Sequence, residues 1–103
     1  MQYTLVMKIL PEPIVFEWDK GNIDKSVNKH KVSNKEAEEV FENEPIIIIE
    51  DVKHSDQEER FVALGKTNKE RLLFLSFTVR KDRIRIISSR DMDRKEERQY
   101  EEV

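Results

Sequence analysis

Residues 71–90 read RLLFLSFTVRKDRIRIISSR, and this stretch decides the fold. Leu73, Leu75, Phe77 and Val79 fall on one side of an extended chain, with Leu72, Phe74, Ser76, Thr78 and Arg80 on the other. Alternation of this kind predicts a β-strand over Arg71 to Arg80. Lys81-Asp82 alone separates it from a second run, Arg83 to Arg90, so the two strands pair antiparallel across a tight turn. Upstream, Glu59 to Lys66 predicts another strand, joined through the short connection Thr67 to Glu70. Ile46-Ile47-Ile48-Ile49 is short and β-branched, which predicts a strand covered on both faces. Glu50 to Gln57 is a polar loop between these two strands.

Helical signals lie on either side of this meander. Ser33-Asn34-Lys35-Glu36 is a capping box, followed by the apolar face Ala37, Val40 and Phe41 and stopped at Pro45. A helix over Ile23 to His30 precedes it, with Asp19 or Asn22 as its cap, Ile23 and Val27 on one face, and Lys25 and Lys29 on another. Pro11 and Pro13 mark a non-helical entry, and Ile14 to Trp18 predicts a first short strand presenting Ile14, Phe16 and Trp18 together. Asp93-Arg94-Lys95-Glu96 caps a last helix whose inner side is Met92, Glu96, Tyr100 and Val103. The order is strand, helix, helix, four strands, helix. That is α+β: a mostly antiparallel sheet of four to five strands with two N-terminal helices packed on it and a C-terminal helix.

The 103 residues suit one domain over 1–103, with 1–13 as an N-terminal extension. There is no Cys, which excludes disulfides, zinc-thiolate sites and a thiol nucleophile. No apolar run is long enough to span a membrane, and the N-terminus lacks the features of a signal peptide, so a cytoplasmic protein is expected. Charged residues make up 40% of the chain, yet the apolar ones are grouped in periodic blocks, which argues for a packed core. The net charge of −3 gives no overall attraction to nucleic acid. A local basic cleft can still govern phosphate binding.

Arginines mark the strand ends: Arg60, Arg80 and Arg90. Guanidinium groups grip phosphate oxygens bidentately and keep their charge at neutral pH. Lys25, Lys29 and His30 share the first helix, and Glu59 can act as a base or orient an arginine. His30 and His54 lack metal-ligand spacing, and Gly21 and Gly65 form no phosphate loop, so no metal or cofactor is expected. This set suits metal-free phosphodiester cleavage. In RNA the 2′-hydroxyl attacks its own neighbouring phosphate, and the enzyme manages two protons and the charge on phosphorus. The plainer alternative makes Glu58, Glu59 and Arg60 an ion pair guarding a strand edge and His30 a partner of its helix dipole.

Phe16-Glu17-Trp18-Asp19, Lys29-His30-x-Val32, Ala37, Val40-Phe41, Glu58-Glu59-Arg60 through Leu64-Gly65, Arg71-x-Leu73, Arg80, Arg85 to Arg90 and Glu97-Arg98-x-Tyr100-Glu101 occur in order. This ordered set resembles the BrnT family of ribonuclease toxins of type II toxin–antitoxin systems, from Phe16 onward. The resemblance implies a RelE-like fold, growth inhibition by RNA cleavage, and neutralisation by a BrnA-like antitoxin through which alone DNA is contacted. It puts the active residues at Lys29, His30, Glu59, Arg60, Arg80 and Arg90, with Lys25 and Arg85 as substrate contacts. The alternative is a catalytically weakened binding module that forms an autoregulatory complex with its antitoxin. Three positions depart from the family pattern: Lys31 where Gly is common, Ser26 where Asn is common, and Ser89 where Ala is common.

Overall fold

In the computed structural model, which describes residues 10–103, the predicted meander is present as one antiparallel sheet. Its order is β1 (Ile47–Glu50), β2 (Phe61–Lys66), β3 (Leu72–Arg80) and β4 (Arg83–Asp91). Three helices complete the fold: α1 (Lys25–His30), α2 (Asn34–Glu39) and α3 (Arg94–Glu101). Residues 1–9 of the expected N-terminal extension lie outside the described residues. Among the described residues, no helix is long and apolar enough to cross a membrane.

The alternation in β3 sorts the core into two layers. Leu73, Leu75 and Phe77 pack with Ala63, Ile84 and Ile86 beneath Val32, Ala37, Val40 and Phe41 of the helical layer. Leu64 and Val62 face the other way, with Met92 and Tyr100 of the C-terminal segment and with Leu72 and Phe74. The isoleucine strand is divided between them: Ile46 and Ile48 join the first layer, Ile47 and Ile49 the second. Gly65 is where the helical layer comes closest, since a Cβ there would stand 2.7 Å from Cγ1 of Val40. Both capping boxes form as the sequence predicts: Ser33 with Glu36, and Asp93 with Glu96. Tyr100 ties α3 to the sheet by donating its hydroxyl to the carbonyl of Pro45 at 2.6 Å. Val103, expected on the inner side of that helix, is exposed.

The N-terminal strand is corrected to a single parallel bridge between Phe16 and Ile84. Two backbone bonds form it, Glu17 N–H to the Ile84 carbonyl and Ile84 N–H to the Val15 carbonyl, both 2.8 Å. Beyond them the side chain of Asn22 takes over the pairing. Its amide donates to the carbonyls of Glu17 and Ile86, each at 2.9 Å, and its oxygen accepts from Asp19 N–H. Asn22 is therefore a buried staple, not a helix cap, and α1 starts later than predicted, after Asp24. Ile23 and Val27 do not reach the core; they are 46% and 39% exposed.

The three departures from the family pattern have local reasons or costs. Ser26 accepts the N–H of Ser89 at 2.8 Å and so fastens α1 to the outer edge of β4. Lys31 ends α1 with φ 57° and ψ 36°, a left-handed conformation that crowds any side chain but suits glycine. The hydroxyl of Ser89 is buried without a hydrogen-bond partner. Lys31→Gly and Ser89→Ala each remove a penalty, and each should raise unfolding stability by roughly 1 kcal/mol. Urea denaturation followed by circular dichroism checks this; an unchanged midpoint in both variants contradicts it.

Candidate functional site

A bulge in β4 decides which arginines share a face. Ser76 lies opposite Ser88, but Phe77 lies opposite Ile86, so Ile87 is an extra residue. The slip puts Ser88 and Arg90 on the same face as Arg83 and Arg85, away from the helical layer. Arg60 and Arg80 belong to that face too, by alternation from Val62 and Thr78. At one end this face is covered by α3; at the other it carries the arginines.

At the open end, Arg60 and Arg80 line a hollow of about 480 Å³ together with His54, Asp56, Gln57 and Glu58. Arg80 grips Glu58 bidentately, Nε and Nη2 donating to the two carboxylate oxygens at 2.8 Å each. That bond, aided by the charges of Arg80, Arg60 and Arg85, holds the Glu58 carboxyl below the usual range against the effect of partial burial. Arg85, on the same face but not among the lining residues, donates to Glu17 at 3.0 Å and to both oxygens of Asp19 at 2.7 and 2.9 Å. The Asp19 carboxyl is lowered by Arg85 first and by the Gly21 amide next. Among the described residues no ion pair engages Arg60.

The loop from Asp51 to Arg60 is fastened to itself. Asp51 N–H donates to the Arg60 carbonyl at 2.8 Å, and the Ser55 hydroxyl donates to the Asp51 carbonyl at 2.7 Å and accepts Arg60 N–H at 3.0 Å. A one-turn helix, Val52–His54, then brings Nδ1 of His54 to 2.8 Å from Oδ2 of Asp51. Thr78 donates its hydroxyl to the Glu59 carbonyl at 2.7 Å, while the Glu59 side chain is exposed. The carboxylate in the hollow is thus that of Glu58, one residue before the expected one.

The remaining expected residues lie at the opposite end of the sheet. Arg90 donates to both oxygens of Glu96 in α3 at 2.8 and 2.9 Å, with its guanidinium 4.0 Å above the Phe74 ring. Phe74 is six residues from Arg80 along β3, about 20 Å at ~3.3 Å per residue. His30 is half-buried at the end of α1, and Lys25 and Lys29 are exposed on that helix. Next to His30, the Lys31 carbonyl accepts from Arg71, which also binds Asp91 at 2.7 and 3.1 Å and Glu36 at 3.1 Å. Arg71 lowers the Asp91 carboxyl, with a smaller contribution from the charge of His30.

One pocket holding every expected cation is therefore not formed. The reason is geometric. Antiparallel neighbours end at opposite edges of a sheet, so Arg80 at the end of β3 and Arg90 at the end of β4 point to different ends. Arg60, Arg80 and Arg85 are brought together; Lys25, Lys29, His30 and Arg90 are not among them. Two residues of the hollow, His54 and Glu58, carried little signal in the sequence beyond their place beside Arg60.

Compared with known proteins, residues 18–96 match the family model described as "Ribonuclease toxin, BrnT, of type II toxin-antitoxin system". The matched span runs from Trp18 through the whole meander to Glu96 and includes all the residues of the hollow. No curated protein matches the chain.

Proposed function

The chain belongs to the BrnT family of ribonuclease toxins of type II toxin–antitoxin systems, and on that premise we propose that it is itself a metal-independent endoribonuclease acting at the hollow of Arg60 and Arg80. The observation that carries this reading is that Arg60 and Arg80 line one hollow with Glu58, which Arg80 holds by a bidentate bond. A phosphodiester entering the hollow meets Arg60 directly and competes with Glu58 for the planar fork of Arg80. As the 2′-oxygen bonds to phosphorus, negative charge grows on the phosphoryl oxygens, and fixed guanidinium groups stabilise it there. Glu58, released from Arg80 but still ionised, takes the proton from the 2′-hydroxyl. The products are a 2′,3′-cyclic phosphate and a 5′-hydroxyl.

A type II system supplies an antitoxin. In this reading it is a BrnA-like protein that covers the basic end of the sheet in the cytoplasm and meets operator DNA on the toxin's behalf. The paired state of Arg80 and Arg85 favours one competing view, a weakened copy that binds its antitoxin without cutting.

Incubation of the purified chain with a defined RNA separates these. Cleavage should give cyclic-phosphate ends, persist in EDTA, and stop when the nucleotide at the cut carries a single 2′-deoxy substitution. Cleavage of the deoxy substrate, or loss in EDTA, contradicts the mechanism. Salt-dependent RNA binding without any cutting supports the binding module instead.

A further inference from the structure

Cleavage of an RNA linkage by its own 2′-hydroxyl needs a second proton transfer, to the departing 5′-oxygen. Glu58 is occupied as the base that takes the 2′-hydroxyl proton, so a separate group has to protonate the 5′-oxygen. The geometry points to His54 as the acid: a catalytic residue that protonates the 5′-oxygen, oriented by Asp51. This rests on the nuclease reading above and adds to it a group at the opposite end of the sheet from His30.

Three observations converge on His54. It lines the same hollow as Arg60 and Arg80. Its Nδ1 is engaged with Asp51 Oδ2 at 2.8 Å, so Nε2 is the nitrogen left for a ligand. A carboxylate in that position fixes the orientation of the ring, and the imidazolium form presents its second proton on Nε2. Asp51 is well placed for this, with its side chain only 15% exposed while His54 is 57% exposed. Finally, the loop is rigidly tied to the phosphate-binding arginine. The Ser55 hydroxyl bridges the Asp51 carbonyl and the Arg60 amide, and Asp51 N–H returns to the Arg60 carbonyl. The imidazole and the Arg60 backbone are therefore positioned as one unit.

The step balances. The 2′-oxygen–phosphorus bond forms and the phosphorus–5′-oxygen bond breaks. The 2′-hydroxyl proton goes to Glu58, and the Nε2 proton of His54 goes to the 5′-oxygen. Net proton movement is from acid to base, and solvent restores both groups afterwards.

A substrate in which sulfur replaces the bridging 5′-oxygen tests the assignment, because a thiolate leaves without a proton. His54→Ala should slow cleavage of ordinary RNA by about 10²-fold or more. On the sulfur-bridged RNA the same variant should come within roughly tenfold of the unmodified protein. Arg80→Ala should stay defective on both, since the charge on phosphorus is unchanged. Asp51→Asn should show a smaller loss with the same rescue. The assignment is overturned if His54→Ala cuts ordinary RNA within about threefold of the unmodified protein, or if it is equally impaired on both substrates. Either result leaves the nuclease reading standing. An unmodified protein inert on both substrates removes that reading, and His54 with it.

Discussion

Replacing Arg80 by alanine should lower RNA cleavage by about 10²- to 10³-fold while leaving the melting curve almost unchanged. The two halves of this expectation have separate grounds. Arg80 is the last residue of β3, its side chain is 47% exposed, and it packs into neither core layer. An exposed ion pair such as Arg80–Glu58 adds little to stability. The rate effect is large because the guanidinium meets charge that exists only as the 2′-oxygen closes on phosphorus. The loss should therefore appear in kcat more than in KM. Lysine is a poor substitute, since the planar fork now matched to two oxygens of Glu58 is what a phosphate uses. Single-turnover cleavage by Arg80→Ala and Arg80→Lys beside the unmodified protein makes the comparison. Activity within about threefold in both would move the reaction to the other end of the sheet, where Arg90 and His30 lie.

That the reaction could be looked for at two ends reflects what a sequence makes legible. Period and turn chemistry are local, so the meander, both capping boxes and the stop before Pro45 follow from neighbouring residues alone. Strand edges are less local. Taken strand by strand, Arg60 lies just before β2, Arg80 ends β3 and Arg90 is next to the last residue of β4, all as the sequence predicts. Whether the ends meet depends on the direction of the neighbouring strand, and the hairpin turn at Lys81-Asp82 sends Arg90 away from Arg80.

The bulge at Ile87 is a finer case. Arg83 to Ile86 alternates strictly, after which Ile86-Ile87 and Ser88-Ser89 double up. The doubling is the trace of a phase slip. Strict alternation would have put Arg90 on the face of Ile84 and Ile86; the slip puts it on the face of Arg85. Elsewhere a side chain replaced the backbone signal. Asn22 reads as a cap because asparagine commonly serves as one, but its amide was needed by the carbonyls of Glu17 and Ile86, the latter 64 residues on. His54 is the opposite case. It has no metal-ligand spacing and sits in a polar loop, and only the fold brings Asp51, His54 and Arg60 to one hollow.

The other large effect lies in the core and should lower stability and, at growth temperature, activity together. Phe77→Ala should destabilise the protein by about 3–5 kcal/mol. Phe77 is fully buried in the middle of β3, at the bulged register, and its ring packs between the helical layer and β2. It stands edge-on to Phe41 with centroids 5.2 Å apart, and 5.6 Å from Phe61 of β2. Phe41 in turn meets Phe16 of the N-terminal segment, edge-on at 5.6 Å. One ring thus connects the helical layer, the sheet and the bridge that carries Glu17 and Asp19 to Arg85. Alanine would leave a cavity between layers that meet through aromatic edges, and cavities of this kind collapse only partly. Against a total stability of roughly 5–15 kcal/mol, such a loss lowers the melting temperature by some tens of degrees. Phe77→Leu keeps most of the volume and should cost much less. Thermal denaturation of the two variants, with cleavage assayed at low and growth temperatures, checks the whole chain of reasoning. A Phe77→Ala protein that melts within about 5 °C of the parent would mean that the aromatic cluster does not hold the layers together. A Phe77→Ala protein that is folded in the cold should recover cleavage there, which Arg80→Ala should not, because the first has lost its frame and the second its chemistry.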